Sequence, residues 1–442
     1  MKTNNELKNI WDMLIKRDFK GLKGMAVKNS IYQFLISVAA KSGGFIFTII
    51  LARMLMPDVF GLYSLALSTI MIFNALSDLG TNNSLLNFLS KEYGKKDGNT
   101  LGYRDYIFKI IFVLNIIIAV SLIGSAYFIS NFYYRKPIFL ALIGGAIYIL
   151  STTFFSYVSN ILMAQGRFKE IFYREVFFQI IRIIILPILV LILLHYSSDI
   201  LLFGIFSMLT LTYFFSCFYL WNRIPKKEGR YLTKEEKKEV NKFILALSTT
   251  ALGGIIFAYA DIVIIGRYVS SSMVGYYQIA LTLAGTLSSF LVLSAVFLPI
   301  FKNVYGENLE RIFKKVLKMN LIISILFFFF VNIIAYYAVW IIYGTSYLSV
   351  VNILRILSIT LVTEPIAGIL SSYYIANNKQ NFLAKAFTIV ALINAVLIFL
   401  LVHFFVGYSQ YSVLLATAGS VVVCRIIYLA ILFFNRKVFK VK

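Results

Sequence analysis

The chain has 442 residues, of which 60% are hydrophobic and 14% charged, with a formal net charge of +23 and a mean hydropathy of +0.84. A soluble globular domain is about 45–50% apolar and about 25% charged, so this composition excludes an ordinary water-soluble fold. The basic surplus does not indicate a nucleic-acid binder, because the Lys and Arg residues sit in short loops between long apolar runs.

Residues 1–28 carry Glu6, Asp12 and Asp18 among seven Lys/Arg and have no continuous apolar core, so no cleavable signal peptide is expected. Trp11, Leu14, Ile15, Phe19 and Leu22 share one helical face. That pattern predicts an amphipathic helix on the cytoplasmic surface, with a solvated tail as the alternative.

Twelve apolar runs follow, at 29–52, 59–80, 105–130, 137–163, 174–195, 199–221, 242–266, 273–299, 316–342, 348–376, 383–404 and 410–434. Each is long enough to cross a hydrocarbon core of about 30 Å. Open sheets leave backbone groups unsatisfied in lipid, and barrel strands alternate apolar with polar residues, which these runs do not. The expected fold is therefore an all-α polytopic membrane protein with about twelve transmembrane helices.

Orientation follows from the positive-inside rule. Of the 42 Lys and Arg residues, 34 fall in the two termini and the loops on their side. Only Arg53, Arg135, Lys136 and Arg267 fall in the opposite loops. Both termini are thus expected in the cytoplasm. The longest loop divides the chain into an N-terminal six-helix bundle at 29–221, a basic linker at 222–241, a C-terminal bundle at 242–434 and a basic tail at 435–442.

The halves resemble one another. Arg53, Gly61, Tyr63 and Ala66 recur 214 positions later as Arg267, Gly275, Tyr277 and Ala280. An even number of spans in each half gives a parallel repeat about an axis along the membrane normal, with a site between the halves.

Charged residues inside spans usually face a cavity or a partner. Lys41 lies about 18 Å along its helix from Arg53, too deep to snorkel easily. Arg53 and Arg267 are open to two readings, interfacial anchors or cavity cations. Arg182 and Arg425 are equally open between snorkelling and cavity lining. Asp78 can cap or pair locally. Asp261 can pair across the bundle. Glu364 precedes Pro365, which weakens the helix there, and is either an ion site or half of a buried pair. His195 and His403 read as interfacial, and Cys217 and Cys424 as buried filler with no metal spacing. No Walker loop, zinc-ligand helix or nucleophile elbow is present, so no enzyme is expected.

The stretch from Asn29-Ser30-Ile31-Tyr32-Gln33 through Leu51-Ala52-Arg53-Met54-Leu55-Met56-Pro57-Asp58-Val59-Phe60-Gly61-Leu62-Tyr63-Ser64 resembles the opening of the polysaccharide and O-antigen type flippases. Leu76-Ser77-Asp78-Leu79-Gly80 and the Ala164-Gln165-Gly166-Arg167 turn are similar to that family as well. These proteins belong to the multidrug/oligosaccharidyl-lipid/polysaccharide exporter superfamily. The resemblance implies two six-helix bundles, alternating access, an undecaprenyl-diphosphate-linked oligosaccharide as cargo and a bacterial plasma membrane location. It leaves the coupling ion open between H+ and Na+, with no other cofactor.

On this reading Lys41, Arg53, Arg182, Arg267 and Arg425 bind the diphosphate and any acidic sugars. Asp78, Asp261 and Glu364 balance charge or bind the coupling ion. The expected partners are the lipid-linked oligosaccharide, the bilayer and polysaccharide assembly proteins, and no nucleic acid. A cation-coupled multidrug exporter of the same superfamily is the alternative, followed by a membrane glycan polymerase.

Overall fold

The structure, a computed structural model, describes residues 21–221, 224, 229–292, 297–298, 301 and 306–439. Most of the expected amphipathic segment 1–28, part of the linker 222–241 and the end of the tail 435–442 lie outside the described residues. Among the described residues the regular structure is helical, with no strand.

Helix α1 spans Gly21–Asp78 but is broken at Met56, which adopts φ 57° and ψ 168° ahead of Pro57. Proline lacks the N–H that would continue the ladder, and its ring pushes the preceding residue out of the helical region. Lys41 and Met71, fifteen residues to either side of the break, line the same cavity. A straight helix would hold them about 45 Å apart, so the two limbs fold back on each other as two spans.

A short helix that the sequence did not suggest, α2 (Thr81–Tyr93), follows. It buries Leu85, Phe88 and Leu89 on one face. The Asp78 carboxylate accepts hydrogen bonds from the Thr81 hydroxyl (3.0 Å) and the Asn82 N–H (2.9 Å), which satisfies donors at the helix start.

The N-terminal half continues with α3 (Thr100–Tyr127), extended by a π-helical turn over Phe128–Tyr134, then α4 (Phe139–Ala164), α5 (Phe168–Leu193) and α6 (Ser198–Trp221). The C-terminal half comprises α7 (Lys234–Tyr268), α8 (Ser271–Leu291), α9 (Gly306–Tyr343), α10 (Val350–Leu357), α11 (Thr360–Ala376), α12 (Gln380–Phe405) and α13 (Gln410–Phe439).

Two expected loops are partly helical. The linker gives way to α7 at Lys234, where Thr233 and Glu236 form a reciprocal capping box. Helix α9 begins at Gly306, inside a segment read as a loop. Hydropathy marks where a helix enters lipid, and these helices extend beyond that point. The tenth expected span is broken at 358–359, and Pro365 lies inside the helix that follows the break.

Among the described residues nine helices are long and apolar enough to cross a membrane, or ten with α7, whose two parts meet at a 42° bend. The two limbs of α1 count once in that number. Apolar stripes face outward: Ile116, Val120 and Ile123 on α3, and Leu392, Val396 and Phe399 on α12, are exposed. Exposed stripes of this length belong against lipid, so the chain is a multi-pass membrane protein. The opposite faces are buried, as with Ile107, Ile111, Ala119 and Leu122 on α3. The helices of each half pack mainly among themselves, and the halves meet where α1 lies against α7 and α8.

Candidate functional site

Two adjoining cavities lie between the halves. One, of 460 Å³, is lined from the N-terminal side by Lys41, Phe47, Tyr63, Tyr148, Arg182 and Tyr213. The other, of 440 Å³, is lined from the C-terminal side by Phe257, Asp261, Glu364, Phe387 and Arg425. They share Leu67 and Met71 of α1 with Gln278, Thr282 and Gly285 of α8, so together they form one site split by a thin wall.

Arg182 is held by a polar stripe along α5. It donates to the Gln179 amide oxygen (2.6 Å), and the Gln179 amide nitrogen donates to the Glu175 carboxylate (2.7 Å). Residues at this i, i+4, i+7 spacing share one helical face. Gly43 makes room for the stripe, since a Cβ there would lie 2.4 Å from the Gln179 side-chain oxygen. The Arg182 guanidinium stacks 4.3 Å from the centre of the Phe47 ring. Its Nε is buried without a hydrogen-bond partner among the described residues. Glu175 is occupied by Gln179 and by its neighbour Arg174, 3.5 Å away. Lys41 is exposed to the cavity and has no ion pair among the described residues.

On the C-terminal side the charges are arranged differently. Arg425 forms an ion pair with Glu364 at 2.8 Å and lies 4.2 Å from the Phe257 ring centre. The second Glu364 oxygen accepts from the Ser288 hydroxyl at 2.5 Å. The buried-pair reading of Glu364 therefore describes this conformation. Asp261 is buried, and its carboxylate accepts from the Tyr277 hydroxyl (3.0 Å) and the Ile262 N–H (2.8 Å). It does not pair with Arg267.

Arg53 and Arg267 line neither cavity. They sit at the Lys/Arg-poor end and cross between the halves. Arg53 donates to the Ile342 carbonyl (2.7 Å) and to that of Ile341 at the end of α9. Arg267 donates to the Tyr133 carbonyl (3.2 Å) at the end of the π-helical turn. Helix C-termini carry unpaired carbonyls and partial negative charge, which draw a guanidinium. Three further bonds follow the same plan: Lys136 donates to the Gly266 and Val269 carbonyls (2.5 and 2.7 Å), and Tyr347 to the Ala52 carbonyl (2.7 Å). Ala52 and Gly266 are 214 apart, as are Arg53 and Arg267, so the two sets are related by the internal repeat. Burial pushes the Lys136 ammonium down to about 8.

At the centre of this seal Gly61 and Gly275 bring the two backbones together. A Cβ on Gly61 would lie 1.7 Å from the Ser271 carbonyl oxygen, and one on Gly275 would lie 2.5 Å from that of Pro57. The cavities are thus closed off at the Lys/Arg-poor end.

Of the sequence-derived candidates, Lys41, Arg182, Arg425, Asp261 and Glu364 meet around the cavities. Asp78 instead caps α2 beside a separate cavity of 220 Å³ that also includes Leu247. His195 and His403 are exposed at or just beyond helix ends. The sequence reading missed Glu175 and Gln179, although their helical spacing to Arg182 within an apolar run is a visible signal.

A family model described as "Polysaccharide biosynthesis protein" matches residues 50–352, more than half of the chain. Among solved structures, the fold is similar to the lipid II flippase MurJ in an inward closed conformation. That match has a TM-score of 0.72 and 16% identity, and covers 91% of this chain and 87% of that one. It is also similar to an inward-facing multidrug resistance MATE family transporter of the MOP superfamily, with a TM-score of 0.66, 14% identity, and coverage of 91% and 95%. A MOP superfamily transporter from Pyrococcus furiosus matches with a TM-score of 0.56, 14% identity, and coverage of 95% and 96%. No curated protein matches the chain. At these identities the structural likeness is one of fold.

Proposed function

The chain belongs to the polysaccharide biosynthesis protein family, and from that premise we propose that it is a flippase for an undecaprenyl-diphosphate-linked oligosaccharide repeat unit. It moves the carrier from the cytoplasmic to the outer leaflet of the bacterial plasma membrane, for assembly into a surface polysaccharide. No bond is made or broken in the cargo.

The observation that carries this reading is the pair Lys41 and Arg182. Both face a cavity between the halves, and neither has a carboxylate within ion-pair distance among the described residues. Uncompensated cations within a membrane protein are costly, and a diphosphate supplies the missing negative charge with several acceptor oxygens. The Arg182 guanidinium is oriented by Gln179 and Phe47, so it meets the phosphate without first having to be ordered.

In the proposed cycle the diphosphate and sugars enter from the Lys/Arg-rich side while the lipid tail stays in the bilayer. The bonds of Arg53, Arg267, Lys136 and Tyr347 then break as the halves rock, and the cavity opens to the outer side. H+ or Na+ is the proposed coupling ion, with Asp261 and Glu364 as the carboxylates that face the cavity.

The test is the leaflet location of lipid-linked oligosaccharide in cells with and without the protein. Accumulation in the cytoplasmic leaflet on deletion, reversed by the wild-type gene and not by Lys41→Glu, is the expected result. Normal outward appearance on deletion, in a cell with no second flippase, would remove the flippase reading. One observation favours a second reading, a cation-coupled multidrug exporter: Asp261 has no cationic partner among the described residues and would suit an organic cation. That reading requires increased drug sensitivity on deletion.

A further inference from the structure

The two cavities differ in the sign of their unbalanced charge. On the N-terminal side Lys41 and Arg182 are cations with no carboxylate in ion-pair distance among the described residues. On the C-terminal side Arg425 is already neutralised by Glu364, and the buried Asp261 carboxylate has no ion pair of its own among the described residues. The shared wall of Leu67, Met71, Gln278, Thr282 and Gly285 makes these the two ends of one elongated site, positive at one end and negative at the other.

A diphosphate-linked glycan is itself elongated, with its charge at one end. Once the diphosphate lies against Lys41 and Arg182, the sugars extend towards Phe257, Tyr259, Gln278, Thr360 and Asp261. Aromatic rings suit the apolar faces of sugars, and amide and hydroxyl groups suit their hydroxyls. The guanidinium that lines that end, Arg425, is tied to a carboxylate. A hexuronic acid there would compete with Glu364 for Arg425 and leave one of two carboxylates uncompensated in a desolvated place. It would also add a like charge near Asp261. A neutral sugar meets neither penalty, and an amine-bearing sugar gains a partner in Asp261.

Resting on the flippase reading, we infer that the glycan carried by this protein is neutral or amine-bearing where it meets the C-terminal end of the cavity, and that uronic-acid-bearing carriers are rejected there. The ion pair with Glu364 is the reason Arg425 is not given to an acidic sugar in this proposal.

The test uses the full chain in proteoliposomes with two synthetic undecaprenyl-diphosphate disaccharides. They differ only in the second sugar, an N-acetylhexosamine or a hexuronic acid, and a membrane-impermeant hydrolase reports outward movement. The wild-type protein is expected to move the N-acetylhexosamine carrier faster by about tenfold or more, as one like-charge contact at an effective dielectric of ~20 allows. Asp261→Asn is expected to narrow that ratio, which is taken between the two carriers within one variant so that any loss of coupling common to both cancels. If Asp261→Asn does not fold, Glu364→Gln, which frees Arg425, is expected to narrow it through the opposite member of the cluster. Equal rates for the two carriers with wild-type protein, or faster movement of the uronate, would overturn the inference and leave the flippase reading standing. Movement of neither carrier would overturn both.

Discussion

The Ser272 hydroxyl donates to the Asp58 carboxylate at 2.5 Å across the boundary between the two halves, and the two residues lie 214 positions apart. That is the offset of the internal repeat, so each residue faces its own counterpart. Gly61 and Gly275 meet in the same way one turn further on. The pseudo-twofold axis therefore runs through the seal at the Lys/Arg-poor end.

Gly61→Ala is expected to hold this end open. The added methyl collides with the backbone at Ser271, which no side-chain rotation can relieve. Forced overpacking costs about 1–3 kcal/mol, enough to shift a balanced equilibrium well towards the open state. The measurement is the reactivity of a Thr286→Cys cavity label towards an impermeant thiol reagent added from outside. The two native cysteines are buried and should contribute little background. Unchanged reactivity would show that the seal does not depend on this contact.

Removing the symmetric arginines tests whether the seal is shared between the repeats. Arg53→Ala and Arg267→Ala each delete hydrogen bonds from a charged donor, worth about 1.5–3 kcal/mol when shielded and less at an exposed site. The sites use different carbonyls, so their effects should add. Distance measurements between spin labels on the two halves should show a stepwise rise in the open population, single variants before double. A double variant no more open than either single one would mean that the two sites are not independent.

Lys136 makes the seal sensitive to pH, and the sign can be worked out. Its ammonium titrates at about 8 in the sealed structure, against an ordinary value of 10.5, because burial disfavours the charged form. When the seal opens and Lys136 meets water, its value returns towards the ordinary one. Between the two values the open state binds more protons, so raising the pH through that window favours the sealed state. The same spin-label distances, followed from pH 7 to pH 10, should show the sealed population growing. Lys136→Met should flatten the dependence, and growth of the open population instead would contradict the assignment.

Arg182→Lys is expected to reduce transport by about tenfold although it keeps the charge, because a lysine cannot reproduce the planar stacking on Phe47 and the bond to Gln179 together. Gln179→Leu should have a similar effect by releasing the guanidinium. Transport assays on variants present at wild-type levels in the membrane would check both. Full activity in Arg182→Lys would reduce the role of this residue to its charge alone.

Much of this architecture was legible in the sequence because lipid imposes a length and an apolarity on every crossing helix. The break at Met56–Pro57 and the repeat offset were legible for the same local reasons. The Thr81–Tyr93 helix was not, because it is too short to cross a bilayer and its signal is the apolar face of Leu85, Phe88 and Leu89. The pairing of Glu364 with Arg425 was open, since it joins helices 61 residues apart and depends on the rotation of each. Arg53 and Arg267 were recognised as a repeat pair, but their partners are backbone carbonyls, which carry no side-chain identity to read. Asp58 and Ser272 share the offset of the other repeats, but they differ in residue type and so escape a search for identical residues.

That difference has a consequence for what a duplicated fold within one chain can do. Two identical subunits related by a twofold axis must present the same side chain to itself on that axis. An aspartate would then repel its copy, and a serine would find only another serine. One continuous polypeptide escapes that constraint and can seat an acceptor opposite a donor, as Asp58 and Ser272 do. The same freedom separates the end of the cavity that holds Lys41 and Arg182 from the end where Arg425 is paired with Glu364 beside Asp261, giving a symmetric frame an asymmetric interior.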